Sequence, residues 1–294
     1  MISEGGPNTA CIPVRRSAAD GARLVACAHG GQVLGWTPAG DERDRLWLSP
    51  LARCGPGEAI RGGVPVIFPQ FAGRGPLPKH GLARDREWEL DSGSDGATVA
   101  RMAARLTADE RTRAIWPHDF TLTLIAEAVS RTLTFTLEVR NDAPPGAAAF
   151  SLTTALHSYL ATDAVTARLE GLAGLDAEDN AAAGAPIRLG TQAVPALGPR
   201  DIAVRDIRGP VWLTEADGSA IRLDCPPPEA AGRDDGFDSV VIWNPGSTPG
   251  PADVPPGAAS RFVCVEPARL APVSVEPQGV WRAVARLEAL VPSR

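Results

Sequence analysis

A two-residue period runs through Arg131-Thr-Leu-Thr-Phe-Thr-Leu-Glu-Val-Arg140. Every second residue there is apolar, namely Leu133, Phe135, Leu137 and Val139. Side chains on a β-strand point alternately to opposite faces, whereas a helix repeats its apolar positions every three to four residues. The segment is therefore predicted to be a half-buried strand. Thr121–Val129 has a similar composition, and the short junction at Ser130 predicts a hairpin between the two.

Short apolar segments of the same kind recur along the chain, separated by glycine and proline. They predict strands at Arg23–Cys27, Gln32–Thr37, Ala97–Leu106, Val165–Leu169, Val211–Glu215, Ala220–Asp224, Ser239–Trp243 and Arg261–Val265. These segments do not alternate with long amphipathic helices, which disfavours a parallel α/β fold. Trp281–Leu290 has a helix-forming composition but also alternates, so it stays unassigned. The sequence predicts an all-β protein.

The distribution of turn residues bears on domain number. The 30 glycines and 28 prolines are spread over all 294 residues, so no shift in composition marks a boundary. All-β sandwiches of this length often form one domain. We expect a single domain over residues 1–294, with residues 1–20 and 291–294 at its periphery.

Charge and cysteine usage limit the class of protein. A net charge of -6 disfavours nucleic-acid and anionic-membrane partners, so any anionic ligand must be held by a local cluster. Met1–Ala10 has no apolar signal region and no stretch is long enough to span a membrane, so we expect a cytoplasmic protein. The five cysteines lack CxxC spacing and neighbouring histidines, which argues against a zinc motif and predicts reduced, mostly buried thiols.

A basic cluster is suggested by Arg61-Gly-Gly-Val-Pro-Val-Ile-Phe-Pro69 and Lys79-His80-Gly-Leu-Ala-Arg84. The glycines after Arg61 allow the backbone to turn and to pass close to a ligand. The planar guanidinium of arginine suits phosphate oxygens, so the two arginines and the lysine could form a local anion site. The alternative is that these are solvated surface residues paired with nearby acids, namely Glu58, Asp85 or Glu87.

His157 lies in Phe150-Ser-Leu-Thr-Thr-Ala-Leu-His-Ser-Tyr-Leu160. If this segment is a strand, His157 faces away from the apolar side and lies among small and hydroxyl residues, as a histidine lining a cleft would. Imidazole is the side chain best matched to proton transfer near neutral pH. The alternative is a structural histidine.

Glu266 ends the apolar run Arg261-Phe-Val-Cys-Val-Glu266 and precedes Pro267. A carboxylate at a strand end lies at the rim of a sheet, and partial burial would raise its pKa and improve it as a general base. Asp238 is a comparable acid at the start of another strand. Either residue could instead be an ordinary solvated carboxylate.

The chain resembles the hexose-6-phosphate mutarotases, also called glucose-6-phosphate 1-epimerases, of the aldose 1-epimerase group. The resemblance rests on a series of motifs in the same order rather than on any one motif. The matching segments are Gly31–Trp36, Leu46–Ser49, Ile60–Pro69, His80–Arg84, Glu87–Glu89, Ala155–Tyr159, Asp238–Pro245 and Val263–Pro267. They run collinearly from near residue 24 to near residue 282.

This resemblance implies an antiparallel β-supersandwich of the galactose-mutarotase type, with the sugar on its concave face. It assigns His157 and Glu266 as the catalytic residues. It also implies substrate-binding roles for residues at or next to the matching positions, namely Arg61, Lys79, His80, Arg84, Asp206 and Asp238. Asp206 is the weakest match, because its spacing from the following aromatic residue, Trp212, is stretched relative to the family's aspartate.

The activity implied is interconversion of the α and β anomers of a hexose 6-phosphate, glucose 6-phosphate above all. Glu266 would remove the proton of the C1 hydroxyl while protonated His157 donates one to the ring oxygen, so neither metal nor other cofactor is required. We expect a monomer whose partner is the small sugar phosphate. A mutarotase for unphosphorylated aldoses and a non-catalytic sugar-phosphate-binding module remain open. A glycosidase is disfavoured, because it needs two carboxylates.

Overall fold

A computed structural model of the chain describes residues 11–91, 98–228, 235–248 and 250–292. Within these ranges the chain forms twenty strands, one α-helix (α1, Glu110–Ile115) and two 3₁₀ helices (Asn180–Ala182 and Ala258–Arg261). The strands are β1 (Val14–Ser17), β2 (Arg23–Cys27), β3 (Gln32–Thr37), β4 (Val66–Ile67), β5 (Glu89–Asp91), β6 (Ala100–Thr107), β7 (Phe120–Val129), β8 (Thr132–Asn141), β9 (Phe150–Leu156), β10 (Tyr159–Ala161), β11 (Arg168–Glu170), β12 (Asp176–Asp179), β13 (Ala185–Arg188), β14 (Val194–Pro195), β15 (Arg200–Arg205), β16 (Val211–Thr214), β17 (Ala220–Asp224), β18 (Ser239–Asn244), β19 (Phe262–Val275) and β20 (Val280–Leu290).

Two large sheets pack face to face. One has nine strands in the order β14-β11-β16-β17-β20-β8-β7-β6-β5, and the other has the order β13-β12-β15-β18-β19-β9-β4, with β10 paired to β19. A smaller sheet contains β1, β2 and β3. The pairs within these sheets are antiparallel. The predicted all-β, antiparallel sandwich is confirmed.

The alternating segment around Leu137 lies in the centre of the nine-stranded sheet as β8. Its apolar residues are completely or almost completely buried in the core between the sheets. The predicted hairpin to β7 is present, with Val129 opposite Thr132 and Ser130 at a positive φ of 52° in the turn. The unassigned segment forms β20, which pairs with the other side of β8.

The eight-stranded sheet has one face toward the core and one face toward the functional residues. On β19, Val263 and Val265 enter the central core, whereas Cys264 and Glu266 point to the opposite side. This separation follows directly from the two-residue period of a strand. The second face is concave and carries small side chains such as Ala203, which leave space above the sheet.

The segment predicted as one strand over Phe150–Leu160 is interrupted. β9 ends at Leu156 and β10 begins at Tyr159, because the backbone N–H of Ser158 bonds back to the carbonyl of Leu156 at 2.8 Å and bends the chain. His157 therefore lies in a bend between two strands rather than within one.

Several other parts of the chain differ from the sequence prediction in extent. The strand expected at Arg261–Val265 begins at Phe262 and continues through Pro267 to Val275 as β19, so Glu266 lies within the strand rather than at its end. The strand expected at Val165–Leu169 begins only at Arg168, because the Asp163 side chain holds Val165 and Thr166 in a turn. Of the end segments expected at the periphery, residues 1–10 and 293–294 lie outside the described residues, as does Ala97. No described helix is long and apolar enough to cross a membrane.

Candidate active site

His157 and Glu266 lie side by side on the concave face. Ala155 pairs with Ala268 and Tyr159 pairs with Cys264, so the register of the strands places His157 opposite Glu266. Nε2 of His157 is 3.3 Å from Oε1 of Glu266. Both side chains are buried, which makes them a close pair shielded from bulk water.

Each member of this pair has one polar atom that the protein leaves unsatisfied. Nδ1 of His157 and Oε2 of Glu266 are buried and have no hydrogen-bond partner among the described residues. The His157 ring stacks on Tyr159 with ring centroids 4.9 Å apart, so its orientation is fixed. A buried polar atom without a partner costs about 1–3 kcal/mol, and such atoms point to a ligand that supplies the missing bonds.

Burial shifts the pKa values of the pair in opposite directions. It raises the pKa of Glu266 well above its usual range, with a further rise from the negative charge of Asp201. It lowers the pKa of His157 well below its usual range, and the positive charges of Arg84 and Arg61 act in the same direction. Both shifts favour a pair with no net charge and one shared proton, which can donate and accept protons in the same step.

The pair opens into a cavity of about 490 Å³, which is within the usual size for small-molecule sites. Phe71, Val241 and Trp243 form apolar walls. The polar lining contains Arg61, Lys79, His80, Arg84, His157, Asn180, Asp201 and Glu266. Six of the eight residues expected from the sequence therefore meet at one cavity.

The basic residues gather at one side of this cavity. Arg61 donates through Nε to Asp253 at 3.0 Å and through Nη1 to the Tyr159 hydroxyl at 2.9 Å. Arg84 donates only to the carbonyl of Lys79, at 3.4 Å, and within the described part of the chain neither Arg84 nor Lys79 has an ion-pair partner. Of the nearby acids, Glu58 pairs with Arg53 and Glu87 with His29. Asp85 lines the neighbouring cavity and acts on Arg84 only through its charge, without a described ion pair.

A second cavity of about 500 Å³ continues from the first and shares Arg61, Lys79 and Arg84 with it. Arg53 lies on its rim. Arg61 pairs with Asp253 and Arg53 with Glu58, whereas Lys79 and Arg84 have no ion-pair partner among the described residues. These two free cations beside Arg61 suit an anion such as a phosphate group.

His80 lies between this basic cluster and the catalytic pair. Burial, together with the charges of Arg84 and Lys79, lowers its pKa to about 3, so its ring is neutral near pH 7. Its Nδ1 accepts a hydrogen bond from the backbone N–H of Ala72 at 3.3 Å, and its ring meets that of His157 edge-on. His80 therefore shapes the cavity wall without adding charge.

Asp206 and Asp238 do not line the cavity. Asp206 follows the end of β15 in a turn with a positive φ of 54°. The Asp238 carboxylate accepts bonds from the Ser239 hydroxyl and from the backbone N–H of Leu270, and it pairs with Arg269 at 3.6 Å. Both positions serve local structure, and neither is placed to contact a ligand in the cavity.

The aspartate that does line the cavity is Asp201, on β15 opposite Trp243. It accepts a hydrogen bond from Nδ2 of Asn180 at 2.6 Å, and Oδ1 of Asn180 accepts one from Arg74 at 2.5 Å. The sequence signal was present, because Asp201, Ala203 and Arg205 alternate with Ile202 and Val204. The sequence prediction assigned this role to Asp206, which follows β15 and lies outside the cavity lining.

Cys264 completes a group of possible metal ligands with His157 and Glu266, whose donor atoms lie within 4.8 Å of one another. Burial raises the pKa of the Cys264 thiol well above its usual range, so it stays protonated. The nearby arginines also repel cations. The group is therefore better suited to proton transfer than to holding a metal ion.

Comparison with known proteins gives a consistent result. A family model described as aldose 1-epimerase matches residues 15–192. A protein of Escherichia coli K12, named as a candidate glucose-6-phosphate 1-epimerase, is 34% identical over 251 residues, which cover 82% of this chain and 77% of that protein. A protein of Cenchrus ciliaris with the same name is 32% identical over 275 residues, covering 90% and 80%.

The solved structures support the same fold. The crystal structure of a candidate mutarotase from Salmonella typhimurium superposes with a TM-score of 0.78 at 26% identity, covering 92% of this chain and 87% of that one. A galactose mutarotase-related enzyme from Lactobacillus acidophilus superposes with a TM-score of 0.71 at 13% identity, covering 96% and 98%. The sandwich is therefore of the galactose mutarotase-like type, as expected.

Proposed function

Because this chain belongs to the aldose 1-epimerase family, we propose that it interconverts the α and β anomers of a hexose 6-phosphate, glucose 6-phosphate above all. The observation that carries the proposal is the combination in one cavity of an acid-base pair and a basic cluster in which Lys79 and Arg84 have no described ion-pair partner. The pair suits the chemistry common to epimerases of this family. The basic cluster favours a phosphorylated sugar over a neutral one.

The reaction needs one proton removed from the C1 hydroxyl and one delivered to the ring oxygen. In the proposed mechanism, ionised Glu266 takes the C1 hydroxyl proton while protonated His157 gives its proton to the ring oxygen. The bond between C1 and the ring oxygen breaks and an aldehyde forms at C1. After rotation about the C1–C2 bond, the ring closes on the other face and both protons return to their starting groups.

This sequence moves a single extra proton between the two groups. It begins on His157 and lies on Glu266 in the open-chain state, so the pair never has to carry a net charge in the buried site. The 3.3 Å separation of Nε2 and Oε1 is consistent with such sharing. The unsatisfied Nδ1 and Oε2 atoms are available for the sugar.

A bound phosphate would also prepare the pair for reaction. The charges of Arg84 and Arg61 hold down the pKa of His157 in the ligand-free protein. A phosphate dianion against these arginines compensates their charge, which raises the pKa of His157 and favours its protonated form. On this proposal the phosphate contributes to turnover as well as to binding.

Magnetisation exchange between the two anomeric NMR signals tests the proposal. The purified protein should accelerate exchange of glucose 6-phosphate far above the buffer rate, and should act more weakly on glucose. Parallel measurements on galactose 6-phosphate and mannose 6-phosphate define the preferred sugar. Acceleration of glucose equal to that of its 6-phosphate would instead indicate a mutarotase for free aldoses, and phosphate-sugar binding by calorimetry without exchange would indicate a binding module.

Variants of the catalytic pair test the assigned roles. His157→Asn and Glu266→Gln should each reduce kcat by about 10²–10⁴, the usual range for loss of a general acid or base. Asp238→Asn is the matched control, since Asp238 lies outside the cavity, and it should keep nearly normal kcat. Normal turnover in either member of the pair would contradict the mechanism.

A further inference from the structure

Three cysteines that are far apart in the sequence meet in the structure. Cys11 precedes β1, Cys27 ends β2, and Cys54 lies in the loop that follows Ser49. The Cys11 thiol lies beside those of Cys27 and Cys54 and is electrostatically coupled to both. All three belong to a small apolar cluster that also contains Leu34.

The three thiols are not equivalent. Hydrogen bonding from Cys27 lowers the pKa of Cys11, and Cys54 adds to that effect. The same contact with Cys11 raises the pKa of Cys27, while burial and Cys11 raise the pKa of Cys54. The arrangement therefore places one reactive thiolate between two protonated thiols, and thiolate is the nucleophilic form of cysteine.

Access differs among them as well. Cys27 is fully buried, and its Sγ lies 3.2 Å from the carbonyl oxygen of His29. Cys11 and Cys54 are half-buried. The next residue, Ile12, is exposed and lines a cavity of about 670 Å³ that is open to solvent. Cys11 and Cys54 are therefore the more accessible of the three thiols.

Cys54 also lies in the loop that borders the basic cavity. The segment 49–61 carries Arg53, Glu58 and Arg61, which line the cavity of about 500 Å³. The carbonyl of Glu58 is 2.6 Å from Nε2 of His29, so the loop rests on the region that holds Cys27. One side of this loop thus contacts the thiols and the other side contacts the cavity.

We propose that Cys11 and Cys54 form a peroxide-sensitive thiol pair that controls the loop bearing Arg61. The Cys11 thiolate attacks the O–O bond of a hydroperoxide, forming a sulfenic acid and releasing water after proton uptake, or an alcohol where the peroxide is organic. The Cys54 thiol then attacks the sulfenic sulfur, the disulfide forms and a second water leaves. Two thiols lose two electrons in total, and the peroxide gains them.

Cys54 is the resolving residue because it lies on a loop, whereas Cys27 lies in β2 and is tied to His29. Closing the disulfide requires the sulfurs to move from hydrogen-bonding separation to about 2.05 Å. The loop around Cys54 must move with it, and this loop carries Arg53 and leads into Arg61 at the border of the basic cavity. Where the proposed function holds, oxidation should raise the KM for the hexose phosphate by about tenfold.

The chemistry is tested on the full wild-type chain without reference to activity. The protein is treated with graded hydrogen peroxide, quenched with iodoacetamide and mapped by non-reducing peptide mass spectrometry. We expect a Cys11–Cys54 linked peptide, formed at least ten times faster than any modification of the control residues Cys225 and Cys264. Absence of the link, a Cys11–Cys27 link in its place, or equal reactivity of Cys225 would overturn the proposal.

Variants separate the two steps. Cys54→Ser should stop at the sulfenic acid, which dimedone traps on Cys11, while the control Cys225→Ser should form the disulfide at the wild-type rate. In activity assays, dithiothreitol should reverse the rise in KM, and Cys54→Ser should show no rise. An unchanged KM in fully disulfide-bonded protein would refute control of the loop. A lack of epimerase activity with all hexose phosphates would refute the proposed function. It would not affect the evidence from mass spectrometry on the Cys11–Cys54 disulfide.

Discussion

Nε2 of His157 and Oε1 of Glu266 lie 3.3 Å apart, and burial and the surrounding charges shift the pKa values of both groups. Burial favours the neutral form of each side chain. The positive charge of Arg84 stabilises the Glu266 carboxylate, which opposes the effect of burial on that group. The same charge destabilises the His157 imidazolium, which adds to the effect of burial there. The same arginine is thus expected to bind phosphate and to set the protonation of the pair.

Arg84→Ala should therefore raise the pKa values of both His157 and Glu266 in the ligand-free protein. Removal of the cation relieves its repulsion of the imidazolium and withdraws its stabilisation of the carboxylate. Histidine ¹⁵N and glutamate ¹³C chemical shifts followed across a pH titration measure the two values. Arg53→Ala is the control, since Arg53 pairs with Glu58 at the cavity rim. Unshifted titrations in Arg84→Ala would show that its charge does not reach the pair.

The buried His80 side chain makes the free energy of unfolding depend on pH. Its pKa is about 3 in the folded protein against an ordinary value of 6.5, so between these values the unfolded chain binds a proton that the folded protein does not. Acid therefore favours unfolding. Between pH 7.5 and pH 5 this one group should cost about 2 kcal/mol of the free energy of unfolding, from 1.36 kcal/mol per pKa unit.

His80→Asn should lose less stability than the wild type over that interval, by about 2 kcal/mol. Asparagine suits the position because it tolerates the positive φ of 69° that His80 adopts. Urea unfolding at the two pH values provides the measurement. His118→Asn, at a more exposed histidine, should show a smaller difference. Equal acid sensitivity of His80→Asn and wild type would contradict burial of a neutral His80.

Sequence analysis identified most of the cavity at the level of single residues, because the motifs containing Arg61, His157 and Glu266 are local in sequence. It did not identify Asp201, whose place in the site depends on pairing with Trp243 on another strand. The cysteine cluster was hidden for the same reason. The spacing of residues along the sequence does not reveal contacts that depend on how distant strands pair.

At the scale of elements, the two-residue period was informative wherever a strand has one polar face. It gave β2, β3 and β17 with their observed bounds, and β7 and β8 to within one residue at each end. β20 was ambiguous because alanine, arginine and leucine in its sequence also suit helices. The bend at His157 could not be foreseen, since it arises from a backbone hydrogen bond between Ser158 and Leu156.

β8 offers a direct test of the element that organises the core. Leu137 is completely buried there, so Leu137→Ala should destabilise the protein by about 2–5 kcal/mol through lost burial and a residual cavity. Its neighbour Thr136 faces the other side of the sheet, and Thr136→Ala should cost about 1 kcal/mol or less. Urea unfolding compares the two. Similar losses from both variants would contradict the assignment of one buried face.

At the scale of the whole molecule, an acidic protein carries a basic cavity. The net charge of -6 repels anions in general, whereas Arg61, Lys79 and Arg84 attract them at one place. This contrast disfavours unspecific binding of polyanions and leaves a short-range site for a small one. Binding of an anion reduces the electrostatic repulsion among these three cations.

Inorganic phosphate should therefore stabilise the folded protein as a whole. A ligand that binds only the folded state at ten times its Kd raises the free energy of unfolding by about 1.4 kcal/mol, which follows from RT ln(1 + [L]/Kd). Thermal unfolding in phosphate, compared with chloride at equal ionic strength, measures the gain, and Arg61→Ala combined with Arg84→Ala should abolish it. Equal Tm values in the two salts for the wild type would show that the basic cavity does not bind phosphate. A gain that persists in the double variant would place the phosphate elsewhere on the molecule.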